Sequence, residues 1–108
     1  MTANCIFCKI IENKMKNSLI YEDDFAVAFN DIAPQAPTHI LVIPKQHIEK
    51  LEALDCDLSK ALFSAINKVS CKLKSFRVVM NYGKEAGQAV AHLHFHVLSG
   101  RKMNWPPG

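Results

Sequence analysis

The sequence predicts an α+β domain in which an antiparallel sheet carries a long helix on one face. Three observations lead there. Short runs rich in β-branched and aromatic residues recur along the chain. One long segment instead repeats its apolar residues at steps of three and four. The resulting order, β-β-β-α-β-β, lacks the alternating units that build a parallel sheet.

The first two strands are "SLIYED" (18–23) and "FAVAFND" (25–31), with Asp23 and Asp24 marking a hairpin between them. "HILVIP" (39–44) is a near-continuous apolar run ended by Pro44. The helix is "DLSKALFSAINKVSCKLK" (57–74), where Leu58, Leu62, Ile66, Val69 and Leu73 share a face with Ala61 and Ala65. Asp55 or Asp57 caps its start, and Lys72 and Lys74 suit its C-terminal dipole. Cys71 falls on the helical pattern as a small apolar filler, and Cys56 falls in a loop without a role. "FRVVMN" (76–81) is a fourth strand, closed by "NYGKEAGQ". "HLHFHVLSG" (92–100) alternates and ends at Gly100. A shorter helix starts near Cys8, through "CKIIENK" (8–14). Two prolines keep "NWPPG" (104–108) out of helix and central strand.

With 108 residues, 49% hydrophobic and 21% charged, the chain suits one domain over 1–108 and leaves no room for a second core. The net charge of +3 comes from dispersed lysines, which sets aside specific nucleic-acid binding. No apolar stretch approaches the ~20 residues of a membrane span. The start, "MTANCIFCKI", has no apolar run flanked by basic residues, so no signal peptide is expected. The expectation is a soluble, cytoplasmic protein, with the nucleus as a second compartment. There the four cysteines would stay reduced.

Three of the five histidines, His92, His94 and His96, occupy alternate positions. In a strand they share a face, with neighbours about 7 Å apart, while Leu93, Phe95 and Val97 face the core. Crowded imidazoles lower one another's pKa, so at least one is expected to be neutral near pH 7. A neutral imidazole is a nucleophile, a base or a metal ligand. Two chemistries therefore stand open. The three rings can hold a catalytic metal, or one can attack phosphorus while its neighbours supply protons and charge. The upstream "NYGKEAGQA", with Gly83 and Gly87, can turn its N–H groups toward an anion, which favours phosphorus. Read blandly, it is a simple hairpin connection.

"HLHFHVL" resembles the signature of the histidine triad family. "DIAPQAPTHILVIPKQH" (31–47) and the terminal "WPPG" resemble its Hint branch, the nucleoside phosphoramidate hydrolases. The likeness runs from "CIFCKII" to Gly108. It implies a five-stranded antiparallel sheet, with two chains pairing into one of ten strands. The substrate would be a purine nucleoside 5′-monophosphate joined through P–N to an amine. His94 falls at the nucleophile, which forms a nucleotidyl-imidazole that water then cleaves. His96 and His39 fall at the supporting histidines of the catalytic set, which assist proton transfer and contact the phosphate. Asp31 matches the ribose-binding carboxylate; alone it could equally cap a turn before Pro34. Ile6, Phe7, Phe29, Ile32 and Leu41 match the apolar walls around base and sugar. Asn81, Gly87, Gln88 and Ala89 match the phosphate-side loop, and Trp105 matches a residue reaching toward the partner's site. Ala89 departs from the family pattern, which often has serine there.

Cys5-x-x-Cys8 has the spacing of zinc ligands. Some relatives carry structural zinc on two cysteines and two histidines, and the resemblance supplies His47 and His92 as the remaining pair. The alternative is two reduced thiols under the N-terminal segment. No catalytic metal is required beside a histidine nucleophile. Two other functions stay open: a dinucleoside polyphosphate hydrolase or nucleotidyl transferase of a sister branch, and a non-catalytic nucleotide- or zinc-binding module.

Overall fold

The computed structural model describes residues 4–13 and 18–108. Helix α1 (Ile6–Glu12) leads into strands β1 (Leu19–Glu22), β2 (Ala26–Asn30) and β3 (Thr38–Pro44). A 3-10 turn (Leu51–Ala53), helix α2 (Cys56–Ser70), β4 (Arg77–Val79) and β5 (Phe95–Ser99) follow. The five strands form one antiparallel sheet in the order β1-β2-β3-β5-β4. The expected α+β class and element order are both present.

The hairpin between β1 and β2 is tied by Asp23. One carboxylate oxygen accepts the N–H groups of Phe25 and Ala26 (2.7 and 2.8 Å), and the other accepts the Tyr21 hydroxyl. Burial opposes ionisation of Asp23, but those hydrogen bonds and the charge of Lys45 outweigh it and hold the carboxyl below its ordinary pKa.

β2 and β3 are covered on both faces, which explains their unbroken apolar runs. On one face Ala26, Ala28, Ile40, Val42, Phe95 and Val97 pack against Leu58, Leu62, Ala65 and Ile66 of α2. On the other, Val27, Phe29, Leu41 and Ile43 pack against Cys5, Phe7, Cys8 and Ile11 of the N-terminal segment.

Several boundaries differ from expectation. α1 begins at Ile6, two residues before Cys8, because the Cys5 sulfur caps it by accepting the Cys8 N–H (3.4 Å). Lys14, the last residue expected in that helix, lies outside the described residues. α2 is capped by Asp55, whose carboxylate accepts the Leu58 N–H (2.8 Å). It stops at Ser70, so Lys68 rather than Lys72 or Lys74 sits in the last turn. Cys56 is the first residue of α2, and Cys71 is its exposed C-cap rather than a core filler.

The last strand starts at Phe95, not His92. The Val42–Phe95 pair is its first rung, and the Pro44 carbonyl is taken by the His92 ring (2.9 Å) instead of a ladder bond. At its far end Gly100 adopts φ +97°, and a Cβ there would lie 2.8 Å from the Pro37 Cβ. Gly100→Ala therefore meets both strain and a clash. It is expected to cost about 2 kcal/mol or more, lowering the thermal midpoint by roughly 8 °C. A thermal melt of the variant checks this.

Candidate active site

The α1 face of the sheet opens into a cavity of about 780 Å³. Its walls include Ile6, Phe7, Phe29, Asp31, Ile32, Leu41, Ala89, His94 and His96, all expected at the site. Ile6 and Ile32 stand at its rim, 51% and 95% exposed. Asn81, Gly87 and Gln88 are not among the wall residues. Gln88 staples its own loop instead, accepting the Gly83 N–H (2.9 Å) and donating to the Val90 carbonyl (3.0 Å). The Gly87 N–H is likewise used within the loop, donating to the Lys84 carbonyl.

Lys9, Ile10, Asn13, Ser18, Asn30 and Val90 also line the cavity, and sequence reasoning missed them. Ile6, Ile10 and Asn13 recur at helical spacing. That signal was available only with the helix start placed at Ile6.

The three alternating histidines share a face but have separate environments. Each can be assigned a tautomer, because some of its partners can only donate or only accept. Buried His94 donates from Nδ1 to the His92 carbonyl (2.8 Å), so its Nε2 carries a lone pair. Phe7 packs edge-on against that ring, with centroids 5.1 Å apart, and against Phe29 at 5.8 Å. His96 lies beside His94, ring centroids 5.1 Å apart. Burial, then the neighbouring His94 and His39, push the His96 pKa down to about 4, so it is neutral at pH 7.

His39 is buried behind His96 rather than on the cavity wall. It sits diagonal to His96 across the β3–β5 ladder, where Leu41 pairs with His96. Its Nδ1 accepts the Gln35 N–H (3.0 Å), so Nε2 carries the proton and faces His96 Nδ1 (2.8 Å). Asp31 makes the turn cap that was the alternative to ribose binding. One oxygen caps the turn at Ala33 (2.8 Å), and the other lies 3.4 Å from His39 Nε2.

His92 turns to the opposite end, into a group with buried Cys5 and Cys8 and half-buried His47 whose ligand atoms all lie within 4.8 Å of one another. His92 donates from Nε2 to the Pro44 carbonyl, and His47 Nε2 lies 3.0 Å from the Glu49 carboxylate. Both therefore present an Nδ1 lone pair to the thiols. These nitrogen–sulfur distances are 3.2 Å for Cys8–His47, 3.4 Å for Cys5–His92 and 3.7 Å for Cys8–His92. Tetrahedral zinc, with N at about 2.0–2.1 Å and S at about 2.3 Å, places such ligands about 3.6 Å apart. The chemistry and spacing of the four residues fit that ion. Among the described residues, no metal-sized group joins His92, His94 and His96, so the single three-histidine metal site is not formed.

The five-stranded antiparallel sheet sets His94 and His96 side by side on the wall of one cavity, and that arrangement defines the class of fold. The sequence model of the HIT domain matches residues 12–103, and the chain belongs to that family. It is 43% identical to an uncharacterised HIT-like protein of Synechocystis sp., covering 100% of both chains. It is 41% identical to the adenylylsulfatase HINT1 of Arabidopsis thaliana, covering 95% of this chain and 76% of that protein. A 14 kDa zinc-binding protein of Brassica juncea is 42% identical, covering 95% and 98%. The crystal structure of a HIT family hydrolase from Legionella pneumophila superposes with a TM-score of 0.87 at 39% identity, covering 97% of this chain and 100% of that one.

Proposed function

We propose that this protein hydrolyses purine nucleoside 5′-phosphoramidates through a nucleotidyl-histidine intermediate. The observation that carries the proposal is the His94 Nε2 lone pair on the wall of an apolar cavity. His94 bonds to the α-phosphorus as the P–N bond breaks, and the amine leaves with a proton taken from solvent, which is returned when water cleaves the nucleotidyl-imidazole. The charge gained by the ring is stabilised at Nδ1–H by the His92 carbonyl. Neutral His96 directs an N–H toward the phosphoryl oxygens. Asp31 reads the ribose hydroxyls, and Ile6, Phe7, Phe29, Ile32 and Leu41 enclose the base and sugar. Water then cleaves the nucleotidyl-imidazole. The test is to quench turnover of an AMP–amine adduct labelled at phosphorus, under conditions that preserve an acid-labile P–N bond, and to map the label. Label on His94 is the expected result; label elsewhere, or none, rejects the reading.

The adenylylsulfatase name of the Arabidopsis relative favours a second reading, in which sulfate leaves in place of the amine. Turnover rates for adenosine phosphoramidate, adenylyl sulfate and diadenosine polyphosphate separate these readings and the sister-branch alternative. Ala89 lines the cavity and is exposed, at the position where the family resemblance implies a serine hydroxyl. One added hydrogen bond is worth about 0.5–1.5 kcal/mol. Ala89→Ser is therefore expected to raise kcat by roughly two- to tenfold, with the gain depending on the leaving amine. Kinetics with two amines would check it.

Zinc on Cys5, Cys8, His47 and His92 would serve the fold, and the zinc-binding relative supports that assignment. A homodimer would extend the sheet through β4, an edge strand with Val78 exposed and Phe76 exposed just before it. Trp105, 82% exposed, would then reach the partner's site. Free cysteines fit a cytoplasmic setting. Among the described residues no helix is long and apolar enough to cross a membrane.

A further inference from the structure

Two hydrogen-bonded links meet at Gln35, one to the surface and one toward the cavity, and the Gln35 N–H fixes the direction of the second. The Arg101 Nε–H donates to the Gln35 carbonyl (2.9 Å), and Arg101 Nη1 donates to the Lys102 carbonyl (3.2 Å). This ties the turn before β3 to the segment after β5. The Gln35 backbone N–H then meets His39 Nδ1 at 3.0 Å. A peptide N–H can only donate, so Nδ1 must accept and the proton of neutral His39 must lie on Nε2. That Nε2–H faces His96 Nδ1 at 2.8 Å, with Asp31 Oδ2 at 3.4 Å as a second acceptor. His96 Nδ1 must therefore accept as well, which leaves the proton of neutral His96 on Nε2. From the Gln35 N–H inward each link is set by the one before it, and Arg101 holds the turn that presents that N–H.

We infer that Arg101 and the backbone of Gln35 are positioning residues that fix the tautomers of His39 and His96, so that His96 offers a donor rather than a lone pair to the substrate's phosphoryl oxygens. The tautomer assignment stands on the hydrogen bonds alone; its consequence for turnover rests on the proposed phosphorus chemistry. Asp31, His39 and His96 also have their ligand atoms within 4.8 Å of one another, close enough to hold a cation. A metal at His39 Nε2 would force the ring proton onto Nδ1, against the Gln35 N–H. The relay therefore assigns that centre to a proton. The distinction matters chemically. A lone pair aimed at a phosphoryl oxygen repels it, whereas an N–H stabilises charge that grows in the transition state.

Arg101 is exposed and not on the cavity wall, so its replacement leaves the core and the cavity intact. The experiment records long-range nitrogen–proton spectra of the imidazoles in the full chain, beside steady-state kinetics with an AMP–amine adduct. Wild-type His39 and His96 are expected each as a single Nε2–H tautomer. In Arg101→Ala the two rings should show exchange broadening or a mixed population, and kcat should fall about three- to tenfold with KM within twofold. Arg101→Lys, which restores one donor, should recover part of both. A wild-type His96 in the Nδ1–H form overturns the inference. So does an Arg101→Ala protein with unchanged spectra and unchanged kcat. A drop in kcat with unaltered tautomers also overturns it, since that marks a role outside the relay. If the label-mapping experiment misses His94 while the tautomers are as stated, the phosphorus chemistry fails and the relay remains.

Discussion

Replacing His94 by alanine is expected to lower hydrolysis of an AMP–amine adduct roughly 10,000-fold or more, the scale on which enzymes lose rate when their nucleophile is removed. The reason lies in one ring. His94 is held by Phe7 on its face and by the His92 carbonyl at Nδ1, so its free Nε2 is aimed without any rotamer search. Among the described residues no other group on the cavity wall has this combination: neutral His96 already has its proton on Nε2 and its Nδ1 engaged. AMP affinity should change only a few-fold, because Asp31 and the apolar walls remain. Single-turnover kinetics and AMP binding, measured on the same variant, check both halves. A loss of less than tenfold would mean that water attacks phosphorus directly. A wild-type protein that binds AMP and turns nothing over would favour the binding-module alternative.

How much of this was legible differs from residue to residue. The His-x-His-x-His alternation is readable because period two and apolar intervening residues leave a strand little choice of faces. Leu93, Phe95 and Val97 do enter the α2 core while the histidines face away. The point where strand pairing starts is not readable, because it depends on a side chain, His92, taking the Pro44 carbonyl from across the sheet. The Gly83–Gly87 loop shows the opposite problem. Its composition suits a phosphate cradle, yet Gln88 closes it on itself, and a single sequence does not reveal which N–H groups a nearby amide will claim. The cysteine–histidine group joins residues up to 87 positions apart, Cys5 with His92. Only family resemblance could bring His47 and His92 to it before the fold was known. His39 was assigned with the catalytic set by resemblance, but its position behind His96 became visible only once β3 and β5 were in register.

Stripping the proposed zinc should produce the largest change in stability. A ligand bound only by the folded chain stabilises it by about 4.1 kcal/mol when its free concentration is a thousand times its dissociation constant. At about 4 °C per kcal/mol for a domain of this size, a zinc-loaded protein should melt roughly 15 °C above the same protein after a strong chelator. Cys8→Ser should abolish that difference. Cys8 is 1% exposed and its sulfur lies within 3.7 Å of both imidazole nitrogens, so serine cannot replace it as a soft anionic ligand. Metal content measured on the purified chain should fall from one zinc to none. The effect on chemistry should be smaller and indirect. The group that anchors the His92 ring also fixes the His92 carbonyl, which orients His94. Below its lowered midpoint the stripped protein should therefore keep turnover to within about tenfold, the range of outer-contact losses around a site. Complete loss of turnover in a chain still folded by circular dichroism would instead place a metal at the phosphorus. Equal melting with and without chelator would leave Cys5 and Cys8 as buried thiols beside two imidazoles, stabilised by packing alone.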